Sequence, residues 1–221
     1  MNTKIKTINR LTENGVVAVI REIPKDKALF VAESLLKGGV NALEVTVEGE
    51  GALSAIELLK KEFADRAIIG AGTVLDELSA DASIRAGAEF IVSPILKKDV
   101  IETTIRYGKV SIPGVMTPTE MMQAVEWGAD VVKVFPASVG GPAFIKNVKG
   151  PLPQVSIIPT GGVDLTNGAD FIKAGAIAIG AGGNLVDNQA IAEGNYTKLT
   201  EIAKQYVELV RQARESNFVV R

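Results

Sequence analysis

Eight short apolar runs recur along these 221 residues, and their spacing constrains the fold more than any single motif does. The runs occupy residues 16–21, 42–47, 67–73, 90–94, 110–114, 128–137, 155–162 and 176–183. Their centres lie about 20 to 26 residues apart, the length of one strand plus a crossover helix. Helical patterns fill the intervals at Lys25–Lys37, Ala52–Phe63, Ser79–Ala86, Asp99–Tyr107 and Thr119–Trp127. Gly38-Gly39, Gly87-Ala88, Gly128-Ala129 and Gly175-Ala176 stand where a helix ends and a strand begins. Glycine there suits a left-handed helix cap. Eight such units predict an α/β fold, a single (β/α)8 TIM barrel domain over residues 1–221. A doubly wound open sheet is the alternative, because spacing alone does not show closure. Ile5, Ile8 and Leu11 mark a weak amphipathic helix before the first strand. Leu199, Ile202, Tyr206 and Val210 mark a long terminal helix over Tyr196–Arg214.

One of the runs contains a lysine. In Val131-Val132-Lys133-Val134-Phe135, alternation puts Val132 and Val134 on one face and Val131, Lys133 and Phe135 on the other. Burial of an ammonium disfavours its charge, and a neutral amine in a pocket is what Schiff-base chemistry with a ketone needs. The plainer reading is a lysine whose stem lies along apolar surface and whose head reaches water at the strand end.

Composition removes several competing chemistries. The chain has no histidine and no cysteine. This excludes Ser-His-Asp and Cys-His triads and nearly every zinc site; no cofactor is expected. Lys and Arg total 24 against 26 Asp and Glu, a net charge of −2 with no dense basic patch. Nucleic acid and anionic membrane are therefore not expected partners. No apolar run has membrane-spanning length and no signal-peptide pattern opens the chain, so a cytoplasmic location is expected.

In a barrel the active site lies at the C-terminal ends of the strands. Those ends supply Arg21, Glu44 with Thr46, Thr73, Pro94, Lys133 with Phe135, Thr160-Gly161-Gly162, and Gly180 to Gly183. A carboxylate inside a barrel, Glu44, suits a general acid/base, although an ion pair with Lys133 or Arg21 would be structural. Gly161-Gly162 and Gly182-Gly183 end adjacent strands, where backbone N–H groups can cradle a phosphate or carboxylate. Gly70-Ala71-Gly72-Thr73 offers a third glycine-rich end, with a hydroxyl for a small anion. Trp127, Met121 and Met122 read as packing.

From about Thr7 to Val186 the chain resembles the 2-keto-3-deoxy-6-phosphogluconate / 4-hydroxy-2-oxoglutarate aldolase family. The resemblance is carried by Gly39-Val40-Asn41-Ala42-Leu43-Glu44-Val45-Thr46, Gly70-Ala71-Gly72-Thr73, Ser93-Pro94, Pro113-Gly114-Val115-Met116-Thr117-Pro118-Thr119-Glu120, Lys133-Val134-Phe135-Pro136-Ala137 and Pro159-Thr160-Gly161-Gly162. It implies a homotrimeric class I aldolase of carbohydrate metabolism that needs no metal. On this resemblance Lys133 forms the Schiff base with pyruvate and Glu44 shuttles protons. Thr73 holds the pyruvate carboxylate, Pro94 and Phe135 pack the pocket, and Thr160 lies near the aldehyde end, where such enzymes set stereochemistry. Two positions depart from the family. Glu48 stands where the family has a carboxylate-gripping arginine, and Gly183 where it has a phosphate-side serine. Arg21, ending the neighbouring strand, is the expected substitute cation.

The sequence thus points to reversible cleavage of a 2-keto-4-hydroxy acid to pyruvate and an aldehyde, the latter phosphorylated or not. Two alternatives stay open. One is a phosphosugar isomerase or epimerase barrel with Glu44 as base; the other is a non-catalytic barrel that binds a keto acid.

Overall fold

The structure, a computed structural model, describes residues 3–218; the outermost positions of the expected domain, 1–2 and 219–221, lie outside the described residues. Nine strands run β1 Val16–Ile20, β2 Ala42–Thr46, β3 Ile68–Gly72, β4 Phe90–Val92, β5 Val110–Ile112, β6 Gly114–Val115, β7 Val132–Val134, β8 Ile157–Pro159 and β9 Ile179–Ala181. All pairings are parallel, in the orders β5-β4-β3-β2-β1-β9 and β6-β7-β8.

The two sheets are arcs of one ring. β5 and β6 form a single stave broken at Pro113, which has no N–H to give to a ladder. Across that break, Val131 N–H bonds Ser111 O and Lys133 N–H bonds Pro113 O at 2.8 Å. The other seam is closed by a parallel bridge between Thr160 and Gly180 and by Ile177 N–H to Ile157 O at 3.0 Å. Eight staves therefore close into a (β/α)8 barrel, and the open sheet is excluded.

Side-chain alternation divides the core in two. Val17, Ala42, Ile68, Phe90, Val92, Val110, Ile112, Val131, Ile158 and Ala178 fill the barrel interior, and Leu11 from helix α1 (Thr3–Asn14) plugs its N-terminal end. Val132 and Val134 point outward into the larger layer between staves and helices. Gly70 makes this packing possible: a Cβ there would collide with the ring of Phe90.

The outer helices are α2 Ala28–Lys37, α3 Ala52–Phe63, α4 Glu77–Arg85, α5 Lys98–Arg106, α6 Pro118–Glu126, α7 Gly141–Lys149, α8 Gly168–Lys173, α9 Asn188–Ala192 and α10 Tyr196–Phe218. Gly39, Gly87, Gly128 and Gly175 take positive φ at four helix ends, as the cap reading requires. α2 starts at Ala28 rather than Lys25, after a turn whose Lys27 N–H bonds Pro24 O. α4 starts earlier than expected, because Asp76 caps it by accepting from Ser79 N–H at 2.7 Å. Thr117 and Glu120 form a reciprocal capping box that fixes the start of α6. Met121 is fully buried and Met122 packs against the same core, as packing residues should.

Candidate active site

Lys133 sits in the middle of β7, locked between Gly114 of β6 and Ile158 of β8. Glu44 sits in the middle of β2, between Val19 of β1 and Gly70 of β3. Both face inward, so the ring brings them across the lumen: Lys133 Nζ lies 4.0 Å from Glu44 Oε1. Lys133 is 6% exposed and Glu44 3%. The carboxyl reaches inward because Gly72, the next inward position on β3, has no Cβ to collide with it. Glu44 Oε1 is buried and has no hydrogen-bond partner among the described residues. At 4.0 Å the pair is an ion contact longer than a hydrogen bond.

Burial raises the Glu44 pKa above the usual carboxylate range; the positive charges of Lys133 and then Arg21 oppose the rise and are outweighed. The ammonium also lies 4.9 Å from the centroid of the Phe135 ring, within cation–π range. Beneath the pair, Val17, Val92, Ile112, Ile158 and Thr160 complete a small cavity of about 10 Å³ with Glu44 and Lys133. That is about the smallest space that holds one water molecule.

Above Lys133 the lumen opens into a cavity of about 530 Å³ at the C-terminal ends of the strands. Lys133, Arg21, Thr73, Pro94, Phe135, Thr160, Gly161, Gly162, Gly182 and Gly183 all line it. With Glu44 beside Lys133, the residues expected to react with or bind substrate fall in one place, whereas Thr46 donates to the Ile20 carbonyl and does not line the cavity. Thr73 holds φ +58°, an unusual conformation for a β-branched residue. Gly161 and Gly162 have φ +86° and +76°, and a Cβ on Gly161 would press on the Phe135 ring. Gly182 and Gly183 face open space.

Gly70 and Gly72 differ from the anion-binding reading of that strand end. Both lie in β3 and serve as clearances for Phe90 and Glu44. Only Thr73 of that stretch lines the large cavity.

Arg21 reaches the mouth and is ion-paired there with Glu48. Glu48, one of the two departures from the family pattern, is thus in contact with the expected substitute cation. Sequence reasoning missed Asn184, Val186 and Asn188, which also line the cavity. Their only local signal is that they follow Gly182-Gly183. A larger groove, about 670 Å³, runs along α8 and α10 on the outer surface, and neither Lys133 nor Glu44 lines it. Trp127 ends α6 and does not line the barrel-mouth cavity.

Residues 7–202 match the family model for KDPG and KHG aldolase. The chain is 35% identical over 208 residues to the KHG/KDPG aldolase of Escherichia coli, spanning 94% of this chain and 97% of that protein. It is 33% identical over 201 residues to a 2-dehydro-3-deoxy-6-phosphogalactonate aldolase of the same organism, spanning 90% and 98%. Among solved structures it superposes with a TM-score of 0.84 at 32% identity on the KDPG aldolase of Legionella pneumophila, which holds pyruvate as a covalent carbinolamine intermediate. That match covers 89% of this chain and 96% of the other.

Proposed function

The chain belongs to the KDPG and KHG aldolase family and is a lyase, and on that premise we propose that it cleaves a 2-keto-4-hydroxy acid to pyruvate and an aldehyde through a Schiff base on Lys133. The observation that carries the proposal is the buried Lys133–Glu44 pair, 4.0 Å apart, at the floor of a cavity large enough for a small keto acid.

Neutral Lys133 Nζ attacks the C2 ketone and forms a carbinolamine. Glu44, whose burial favours the protonated carboxyl, gives a proton to the departing oxygen, which leaves as water. In the resulting protonated imine the electrons of the C3–C4 bond flow toward nitrogen as the C4 hydroxyl gives its proton to the Glu44 carboxylate, directly or through water. The aldehyde departs and an enamine remains. Protonation at C3 and hydrolysis release pyruvate and the free amine.

Thr73 and Arg21 hold the pyruvate carboxylate, with Pro94 and Phe135 packing the three-carbon unit. The aldehyde half extends toward Thr160, Gly161, Gly162, Gly182 and Gly183. Thr160 contacts the substituents at C4 and so governs their stereochemistry. Relatives include one named for a galactonate and others named for KDPG and KHG, so both C4 configurations belong in the test. The protein works without a metal or cofactor, as a homotrimer in the cytoplasm. Exposed Leu75 and Ile95, on the adjacent loops after β3 and β4, and Leu78 in the first turn of α4 support self-association at that rim.

The test is pyruvate release from 2-keto-3-deoxy-6-phosphogluconate, its galactonate epimer and 4-hydroxy-2-oxoglutarate. The protein should release pyruvate from at least one, and Lys133→Ala from none. Release that survives in Lys133→Ala overturns the proposal.

A further inference from the structure

Three consecutive carbonyls after β8 are tied back into the protein. Thr160 O accepts from Ala137 N–H at 2.8 Å, Gly161 O from Ser138 N–H at 3.0 Å, and Gly162 O from Nδ2 of Asn167 at 2.8 Å. The first two donors are main-chain groups that almost any residue supplies. The third is a side chain. Through Oδ1, Asn167 also accepts Asp164 N–H at 3.0 Å, so one amide clamps the turn at two points. A primary amide carries a donor and an acceptor on one flat group; a carboxylate carries only acceptors.

Asn167 is the N-cap of α8, where an asparagine ordinarily turns its oxygen onto the helix's own first N–H groups. Here it makes no such bond. Its side chain is given to the glycine turn instead. Gly161 and Gly162 are conformationally permissive, so the turn has no stiffness of its own. On the cavity side, neither Gly162 nor Val163 donates its N–H to a hydrogen bond among the described residues.

We propose that Asn167 is a positioning residue for the aldehyde end of the cavity. By fixing the Gly162 carbonyl away from the lumen, it presents the N–H groups of the turn to an anionic group on the departing half of the substrate, a phosphate or a carboxylate. The inference rests on the aldolase reading. Asn167 does not itself line the cavity and touches no reacting atom.

Asn167→Asp keeps the shape and the acceptor but loses the donor; Asn167→Ala loses both. Both variants are assayed on 2-keto-3-deoxy-6-phosphogluconate and 4-hydroxy-2-oxoglutarate. The pyruvate concentration that half-saturates borohydride trapping is measured beside them, because pyruvate does not reach the turn. KM should rise at least fivefold for the phosphorylated substrate if a phosphate is held, or for the dicarboxylate if a carboxylate is held, with a larger rise in Asn167→Asp. Half-saturating pyruvate should stay within twofold. Unchanged KM for both substrates overturns the inference, and so does an equal loss of pyruvate trapping, which would mark a merely structural role. Should Asn167→Ala not fold, Asn167→Asp decides by the same criteria. A wild-type protein that pyruvate does not trap removes the aldolase reading and this inference with it. A trapped, active wild type with unaltered variants removes this inference alone.

Discussion

Lys133 and Glu44 face each other across the barrel, Nζ and Oε1 4.0 Å apart and both side chains almost wholly buried. They come from β7 and β2, on opposite walls of the ring. A buried ion pair is weak evidence for stability, because desolvation offsets most of the attraction. Its position at the floor of the mouth cavity accounts for it better as a proton donor and a nucleophile.

Glu44→Gln keeps the shape and removes proton transfer. Turnover should fall by about 10² to 10⁴, the usual contribution of a general acid/base, while pyruvate still reaches Lys133 in borohydride trapping. Near-normal steady-state turnover would make Glu44 structural.

The raised Glu44 pKa has a stability signature. A carboxyl that binds its proton more tightly in the folded state contributes stability that is fully present below the ordinary glutamate value, about 4.3, and is lost as pH rises through the raised value. Glutamine does not titrate. Urea unfolding should therefore show the stability of Glu44→Gln relative to wild type improving from pH 5 to pH 8. A constant or declining difference contradicts the assignment.

Gly72→Ala places a methyl group against the Glu44 carboxyl. Both groups are buried, so the carboxyl must move. Overpacking of this kind costs about 1–3 kcal/mol. The expected result is a folded, destabilised protein whose kcat falls far more than its KM rises. Wild-type kcat would show that the position of Glu44 is not critical.

Arg21 is half exposed and shares its charge with Glu48. Arg21→Ala should still raise the KM for pyruvate-side substrates about tenfold, roughly 1.4 kcal/mol. Exchange of pyruvate's methyl protons, followed by NMR without an aldehyde, should suffer equally. Loss confined to phosphorylated substrates would instead assign Arg21 to the far end.

The barrel was legible because each stave is a mostly apolar run and four helix-to-strand junctions carry a glycine. The site was legible because Lys133 and Glu44 are charges within such runs. Other features depend on contacts between distant segments. Gly70 and Gly72 read as part of a strand end for a small anion until Phe90 and Glu44 are seen to fill their clearances. The Arg21–Glu48 pair joins two strand ends that local pattern does not connect. The helices α7, α8 and α9 are short, and all three open on Gly or Asn rather than on an apolar repeat. The bond from Asn167 to Gly162 appears only in three dimensions.

The central claim is a covalent bond between one lysine and pyruvate. Incubation with pyruvate and borohydride, followed by intact mass and peptide mapping, tests it directly. The account predicts one pyruvate-derived adduct per chain, on Lys133, with activity lost in proportion. An adduct on another lysine, or no adduct while activity persists, would contradict it.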